Sequence, residues 1–213
     1  MPEELRTAYH RALENINQQV VALFALVGEG LAGATEAFLS GDRETAKGLV
    51  ARDELVDQTY KDIDDLVVRQ LTLQQPMASD LRFLLSVIRI VPELERSHDL
   101  AEHIAQRAVR GLTSELTPRT RGLIEQMGRI GVEMWRSAAD AYVERDPSAA
   151  ERLNDDDDQL DDLHVSLTAE ISSGRFTIPV AIELALVARF YERLGDHAVN
   201  VSERVRYLAT GGY

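Results

Sequence analysis

The segment ERSHDLA at residues 95–101 returns, with changes, as ERLGDHA at residues 192–198. Both copies lie in stretches where apolar residues recur every three or four positions, a spacing typical of amphipathic helices. In each copy a glutamate precedes an aspartate by four residues, so a helix places both carboxylates on one side, one turn apart. The repeat predicts a duplicated helical protein with a pair of carboxylates in each half.

The duplication extends beyond these two segments. Residues 37–42 (AFLSGD) are echoed by residues 141–146 (AYVERD). The separation that aligns these two segments also aligns Asp53 with Asp157 and Asp57 with Asp161. Each half therefore has a second acidic pair on an earlier helix. Short loops between long periodic segments favour antiparallel neighbouring helices. We therefore predict an all-α fold of two tandem antiparallel three-helix bundles, comprising residues 1–112 and 113–213.

Several local features of the first half are also predicted. Gly41 is expected to end the first helix and Asp42 to cap the second. The second helix is expected to run without a break from about Ala46 to Leu71. On the third helix the predicted core-facing stripe changes from apolar to acidic along its length: Leu81, Leu85, Ile88, Pro92, Glu95 and Asp99.

The composition of the chain excludes or disfavours several classes of function. The chain of 213 residues has no cysteine, which excludes disulfides and thiolate metal sites, and it carries a formal net charge of -13, which disfavours binding to nucleic acid. The N-terminus does not resemble a signal peptide. The longest smooth apolar run, Val20 to Val27, is shorter than the ~20 residues of a membrane span. We expect a cytoplasmic protein.

In each half, antiparallel helices can bring two acidic pairs together. Like charges ~4 Å apart repel by about 4 kcal/mol at an effective dielectric near 20, so a cluster of four carboxylates needs a bound cation or a proton. Oxygen ligands suit magnesium, manganese, calcium or iron, and zinc is an alternative. The predicted metal ligands are Asp53, Asp57, Glu95 and Asp99 in the first half and Asp157, Asp161, Glu192 and Asp196 in the second.

The residues around these pairs have weaker assignments. His103 and Asn200 lie one turn beyond the last aspartate of each set and are weaker candidate ligands. Arg96 and Arg193 are expected to orient the carboxylates. Asp158 and Asp162 form an alternative pair on the second helix of the second half, one residue out of register, and the repeat favours Asp157 and Asp161. In the first helix Gly28, Gly30 and Gly33 are expected to permit close packing.

With these residues in hand, the chain resembles the PhoU family of phosphate-uptake regulators along essentially its whole length. The resemblance is carried by the duplicated layout, the paired acidic motifs and the phrase YERLGDHAVNV at residues 191–201. It implies metal clusters on each bundle and a regulator, not an enzyme, that represses the phosphate-starvation response. The implied partners are the phosphate transporter ATPase and a membrane-bound sensor histidine kinase. The protein is therefore expected to contact the membrane only through these partners. A homodimer is also expected.

Two other functions remain open at this point. A ferritin-like di-iron enzyme is suggested because Glu95 and His98 match the Glu-x-x-His motif of such bundles. Gly195 stands where the second copy would need its histidine, which counts against that interpretation. An isolated acidic pair is more often a solvated helix face with intrahelical ion pairs, so a metal-free helical adaptor is the other alternative.

Overall fold

The structure is a computed structural model that describes the backbone of residues 3–212 and the side chains of residues 6–212. Over this range the chain forms seven α-helices and one short 3-10 helix, and no strand. The predicted all-α class is therefore confirmed. The helices are α1 Glu3–Ser40, α2 Arg43–Val50, α3 Asp53–Gln74, α4 Ala78–Val109, α5 Pro118–Glu144, α6 Ala149–Ile171 and α7 Ile178–Thr210, with the 3-10 helix at Leu112–Glu115.

The first helix ends as the sequence predicts. Gly41 takes a left-handed conformation with φ 77°, and the Asp42 carboxylate accepts hydrogen bonds from the backbone N–H groups of Glu44 and Thr45, both at 3.1 Å. The duplicated position in the second half is Arg145, which is also left-handed with φ 58°. Its guanidinium lies over the Tyr142 ring, 5.0 Å from the centroid. Packing of the arginine side chain accompanies a backbone conformation that glycine adopts more easily.

The predicted second helix of the first half was wrong in one respect, because it is broken in two. Helix α2 ends at Val50 and α3 begins at Asp53. The N–H of Arg52 bonds to the carbonyl of Leu49 at 3.0 Å, a tight turn that closes α2. Before the break, Leu49 packs against Gly33 of α1, where an added Cβ would lie 3.2 Å from it. Neither glycine nor proline marks the break, so the sequence pattern gave no sign of it.

The two halves pack side by side with their equivalent helices antiparallel. Near the end of α4, Arg107 pairs with Glu183 near the start of α7 at 3.0 Å. In the middle of both helices, Ser97 meets His197 at 2.9 Å. Helix α1 packs antiparallel to α5 in the same way, and Tyr191 of α7 reaches across to Thr35 of α1 at 2.8 Å. Each half is therefore a bundle of three helical arms. In the first half the arms are α1, then α2 together with α3, then α4; in the second half they are α5, α6 and α7.

A single apolar core runs through both halves. The predicted core stripe on α4 was wrong, because Leu81 and Ile88 are each 36% exposed. Helix α4 packs against α1, α2, α3 and α7, so it is apolar over more of its circumference than one stripe, and periodicity alone could not identify the buried side. The residues of α4 that are buried in the core include Leu84, Val87, Val91 and Leu94. Whether residues 1–112 and 113–213 act as separate domains stays a prediction.

Helix α1 is apolar enough to raise the question of a membrane. Its most apolar window has a mean hydropathy of 1.5, so by length and composition alone α1 could cross a bilayer. In the structure its apolar side chains lie in the protein core, as the complete burial of Val20, Val27 and Leu31 shows. The core helix of a globular bundle has the same composition, so this is weak evidence for a span.

Candidate metal centre

The first acidic cluster lies between α3 and α4. Asp53 and Asp57 occupy the first two turns of α3, Glu95 and Asp99 face them from the middle of α4, and all four are half-buried. Burial, followed by the charges of Glu95, Asp53 and Asp57, raises the pKa of Asp99 to about 6. Burial and Asp57 also raise the pKa of Glu95. The four carboxylates that the repeat predicted therefore share one electrostatic environment.

The second cluster lies between α6 and α7. Burial is the largest influence on Asp157, and the charges of Asp196, Asp161 and Glu192 add to it, which raises the pKa of Asp157 to about 7. The pKa of Glu192 is also raised, by burial first and then by Asp196. A carboxyl group with so high a pKa is in an environment that disfavours its charge unless a cation is added.

Helix α7 has a glycine where the second cluster forms. A Cβ at Gly195 would lie 2.3 Å from Asp157 Oδ1 and 2.8 Å from Leu160 Cδ2. Only a residue without a side chain allows α6 this close to α7. Asp157 is half-buried at this contact, while Asp158 is exposed. The structure thus turns Asp157, and not its neighbour Asp158, toward α7.

Several oxygens of the clusters lack partners within the described residues. Asp53 Oδ1, Asp157 Oδ1 and Glu192 Oε2 are shielded from solvent and accept no hydrogen bond there. A buried carboxylate oxygen without a donor is costly and needs a proton or a cation. This donor set of carboxylate oxygens fits a hard divalent or trivalent ion.

The side chains are not arranged as a closed coordination shell. Among residues 6–212, no three His, Asp or Glu side chains are gathered in a geometry that would hold an ion as they stand. The carboxylates would have to rotate toward a common point for an ion to bind. Half-exposed aspartate and glutamate side chains can change rotamer without moving their helices.

Two arginines beside the clusters are expected to orient their carboxylates. Arg96 forms an ion pair with Glu93 at 2.8 Å, not with Glu95 or Asp99. In the second half Arg189, one turn before Glu192, pairs with that carboxylate. Arg193 is exposed. Neither Arg96 nor Arg193 forms an ion pair with a clustered carboxylate among the described residues, although the charge of Arg96 partly offsets the rise that burial causes in the pKa of Glu95. The role of the two arginines in orienting the clusters stays a prediction.

The two weaker candidate ligands have different environments. The His103 ring lies against the Phe190 ring of α7, with 5.4 Å between centroids, and its Nδ1 is buried without a partner among the described residues. Asn200 is exposed on α7. The structure gives His103 a contact between the halves, and its role as a ligand stays a prediction.

Sequence reasoning missed a buried contact between the two clusters. The Ser97 hydroxyl donates to the carbonyl of Glu93 at 2.6 Å and lies 2.9 Å from His197 Nδ1. Burial lowers the pKa of His197 to about 4, so the ring is neutral at pH 7. A neutral ring with its proton on Nδ1 can donate to Ser97 Oγ and satisfies both groups. One feature of the sequence could have indicated this contact: the first copy of the repeat has the polar Ser97 at the position where the second copy has Leu194.

His98 occupies in the first half the place that Gly195 has in the second. It is buried, and an added Cβ at Gly30 of α1 would lie 3.3 Å from its Nδ1. Close packing at Gly30 was predicted, but the histidine that fills the space was not. The two clusters therefore have the same carboxylates on differently packed helices.

The fold and site define a class: a helical protein of two similar three-arm bundles, each with a carboxylate cluster between its second and third arms. The chain belongs to the PhoU family. The PhoU domain model matches residues 20–108 and again residues 124–205, one match in each half. These two matches agree with the internal duplication.

Individual relatives agree along almost the whole chain. A phosphate-specific transport system accessory protein PhoU homolog 2 of Mycobacterium tuberculosis is 32% identical, over 98% of this chain and 100% of the relative. The crystal structure of PhoU from Pseudomonas aeruginosa superposes with a TM-score of 0.89 at 29% identity, covering 96% and 100% of the two chains. The PhoU structure from Streptococcus pneumoniae, described as a phosphate transport system regulatory protein, gives 0.86 at 28% identity, covering 96% and 98%.

Proposed function

We propose that this chain is a regulatory accessory protein of phosphate transport. The observation that carries the proposal is the full-length relation to proteins named as accessory to the phosphate-specific transport system, in both sequence and structure. In this role the protein contacts the ATPase of the phosphate transporter and a sensor histidine kinase, and it represses the phosphate-starvation response when phosphate is plentiful. It works in the cytoplasm as a homodimer and meets the membrane only through these partners.

Regulation without turnover is the second part of the proposal. One arrangement of side chains in the described residues has the composition of a nucleophilic triad, namely Ser97, His197 and Glu93. Ser97 is completely buried and donates its proton to a backbone carbonyl, and His197 Nε2 is 3.8 Å from Glu93 Oε2. A substrate could not reach this hydroxyl, so the arrangement supports a structural role. The ferritin-like alternative is disfavoured because Gly195 replaces the second histidine.

Metal binding is the third part. The eight carboxylates named from the sequence would hold the ions, four in each half, and iron, zinc, manganese and magnesium are the candidates. Bound cations would neutralise the clusters and offer open positions to phosphate or to a carboxylate of a partner. The chain's own residues position these oxygens. Gly195 allows Asp157 to approach α7, and Arg189 forms an ion pair with Glu192. The raised pKa of Asp157 and the unpartnered oxygens support this assignment.

The experiment for the regulatory role is deletion of the gene. Expression of phosphate-starvation genes should rise in phosphate-rich medium and should return to the repressed level when the parent gene is supplied. Repression that persists in the deletion strain would contradict the proposed function.

A further inference from the structure

A long surface groove runs between α1 and α5. It consists of two adjoining cavities of about 480 and 280 Å³, which share Ala32, Val132 and Arg136 in their walls. The larger cavity extends to Ser40 on α1, and the smaller one begins at Phe24. At ~1.5 Å per residue the lined part of α1 is roughly 24 Å long. The groove contains none of the eight clustered carboxylates, which lie on α3, α4, α6 and α7.

Small side chains leave this groove open. Its lining includes Ala25, Gly28 and Ala32 of α1 and Gly128 and Ala139 of α5. The helices touch at Gly128, where an added Cβ would lie 2.3 Å from Thr35 Cγ2. At Gly28, in contrast, an added Cβ would meet nothing within 4 Å. The space above Gly28 is therefore not filled by this chain.

Trp135 supplies an unsatisfied polar group in the wall of the groove. Its side chain is 1% exposed, and it lines the smaller cavity together with Phe24 and Gly28. The indole N–H has no acceptor among the described residues. Buried tryptophan N–H groups usually find an acceptor, so the packing of this wall is not fully satisfied by the described residues.

The rim of the groove is charged and mainly acidic. Glu29 and Glu36 of α1 and Glu125 and Glu133 of α5 face only two arginines, Arg129 and Arg136. Arg129 lies 3.3 Å from Glu133 and neutralises it. The three other glutamates are opposed by one arginine, so a basic occupant would be attracted to this rim.

We propose that the α1/α5 groove binds one amphipathic helix of a partner protein, with small or aliphatic residues on the face that enters the groove and Lys or Arg on its flanks. A helix of roughly 16 residues spans the groove length. A second copy of this chain would bring two acidic rims together, and an anionic membrane would be repelled by the net charge of -13. The inference deepens the proposed regulation by contact, but it uses a different surface from the metal clusters.

The test uses a fluorescent synthetic helix of roughly 16 residues with Leu and Ala on one face and Lys on the other. Gly28→Leu fills the open space, and it should weaken binding of this peptide at least about tenfold. Gly48→Leu is the matched control, because an added Cβ at Gly48 of α2 also meets nothing within 4 Å. The control should bind as the parent does. Circular dichroism should show both variants folded, since leucine favours a helix more than glycine does.

A peptide with Glu in place of Lys tests the attraction of the acidic rim for basic residues and should bind the parent far more weakly, while the comparison of Gly28→Leu with Gly48→Leu separates groove binding from general adhesion. Equal binding of the parent and Gly28→Leu, or of the Lys and Glu peptides, would overturn the inference. A parent dimer that dissociates on Gly28→Leu in sedimentation would also overturn it, since the occupant would then be a second copy. These results are independent of gene deletion, so failure here leaves the proposed regulatory function standing.

Discussion

Gly195 of α7 lies so close to Asp157 of α6 that a Cβ at position 195 would be 2.3 Å from the carboxylate oxygen Oδ1. This approach draws the carboxylate out of water and toward Asp196, and burial followed by the charge of Asp196 raises the pKa of Asp157 to about 7. In the first half His98 stands at the equivalent position and packs against Gly30. The contact of Gly195 with Asp157 is therefore closer than the contact of Gly30 with His98.

Gly195→Ala should destabilise the protein. The added methyl meets Asp157 and also the buried Leu160, and overpacking of a core contact costs about 1–3 kcal/mol. Urea denaturation measures the change in the free energy of unfolding. Gly122→Ala in α5 is the matched control, because its Cβ meets nothing within 4 Å, and it should gain about 0.5–1 kcal/mol from helix propensity. Equal stability of the two variants would refute the close contact.

The charge of Asp157 should make stability depend on pH when metal is absent. Its carboxyl titrates near 3.8 in the unfolded chain and near 7 in the folded protein. Between these values the folded state binds more protons, so this residue's contribution to the free energy of unfolding falls as pH rises. Asp157→Asn removes the effect. In chelator, the melting temperature of Asp157→Asn should exceed the parent's by more at pH 8 than at pH 5.

The parent must be compared with Asp157→Asn because His197 has the opposite effect on how stability changes with pH. Burial lowers the pKa of His197 to about 4 from 6.5, so the stability of both proteins rises with pH across that window. The difference between the parent and Asp157→Asn cancels this contribution. A difference that stays constant from pH 5 to pH 8 would show that Asp157 is not destabilised by its charge.

The contact between Ser97 and His197 should stabilise the packing of the two halves. Ser97→Ala leaves His197 Nδ1 buried without its partner, which costs about 1–3 kcal/mol. Ser86→Ala in the same helix is the control, since Ser86 Oγ is buried and already has no partner among the described residues. That variant should be neutral or slightly more stable in thermal denaturation. Equal losses for both variants would mean that the hydrogen bond to His197 contributes nothing.

The sequence predicted the fold well where local chemistry decides it. Gly41 ends a helix and Asp42 caps the next through contacts within a few residues, and both appear as expected. The break at Ala51 and Arg52 carries no glycine or proline, because it depends on packing against distant helices. The buried side of α4 could not be predicted for the same reason, since four other helices pack against its surface.

The candidate site was predictable because the duplication placed the same acidic pairs twice. Helical spacing put Glu95 near Asp99, and the repeat chose Asp157 over Asp158. The partner of Glu192 was missed, because Arg189 and Arg193 are both within one turn and only the side-chain direction decides between them. The link between Ser97 and His197 joins residues far apart in the chain, and periodicity within one helix holds no information about such a pair.

The central claim is that the two carboxylate clusters bind metal ions, and metal content after dialysis tests it most directly. Protein purified without a histidine tag should be dialysed against manganese, zinc or ferrous iron and then analysed for bound metal. Glu192→Gln combined with Asp196→Asn should lose about half of the bound metal, because the second cluster is removed and the first is kept. The neighbouring pair Asp158→Asn and Asp162→Asn is the control and should keep it all. Equal metal content in the parent and the Glu192/Asp196 variant, or no bound metal in the parent, would contradict the account.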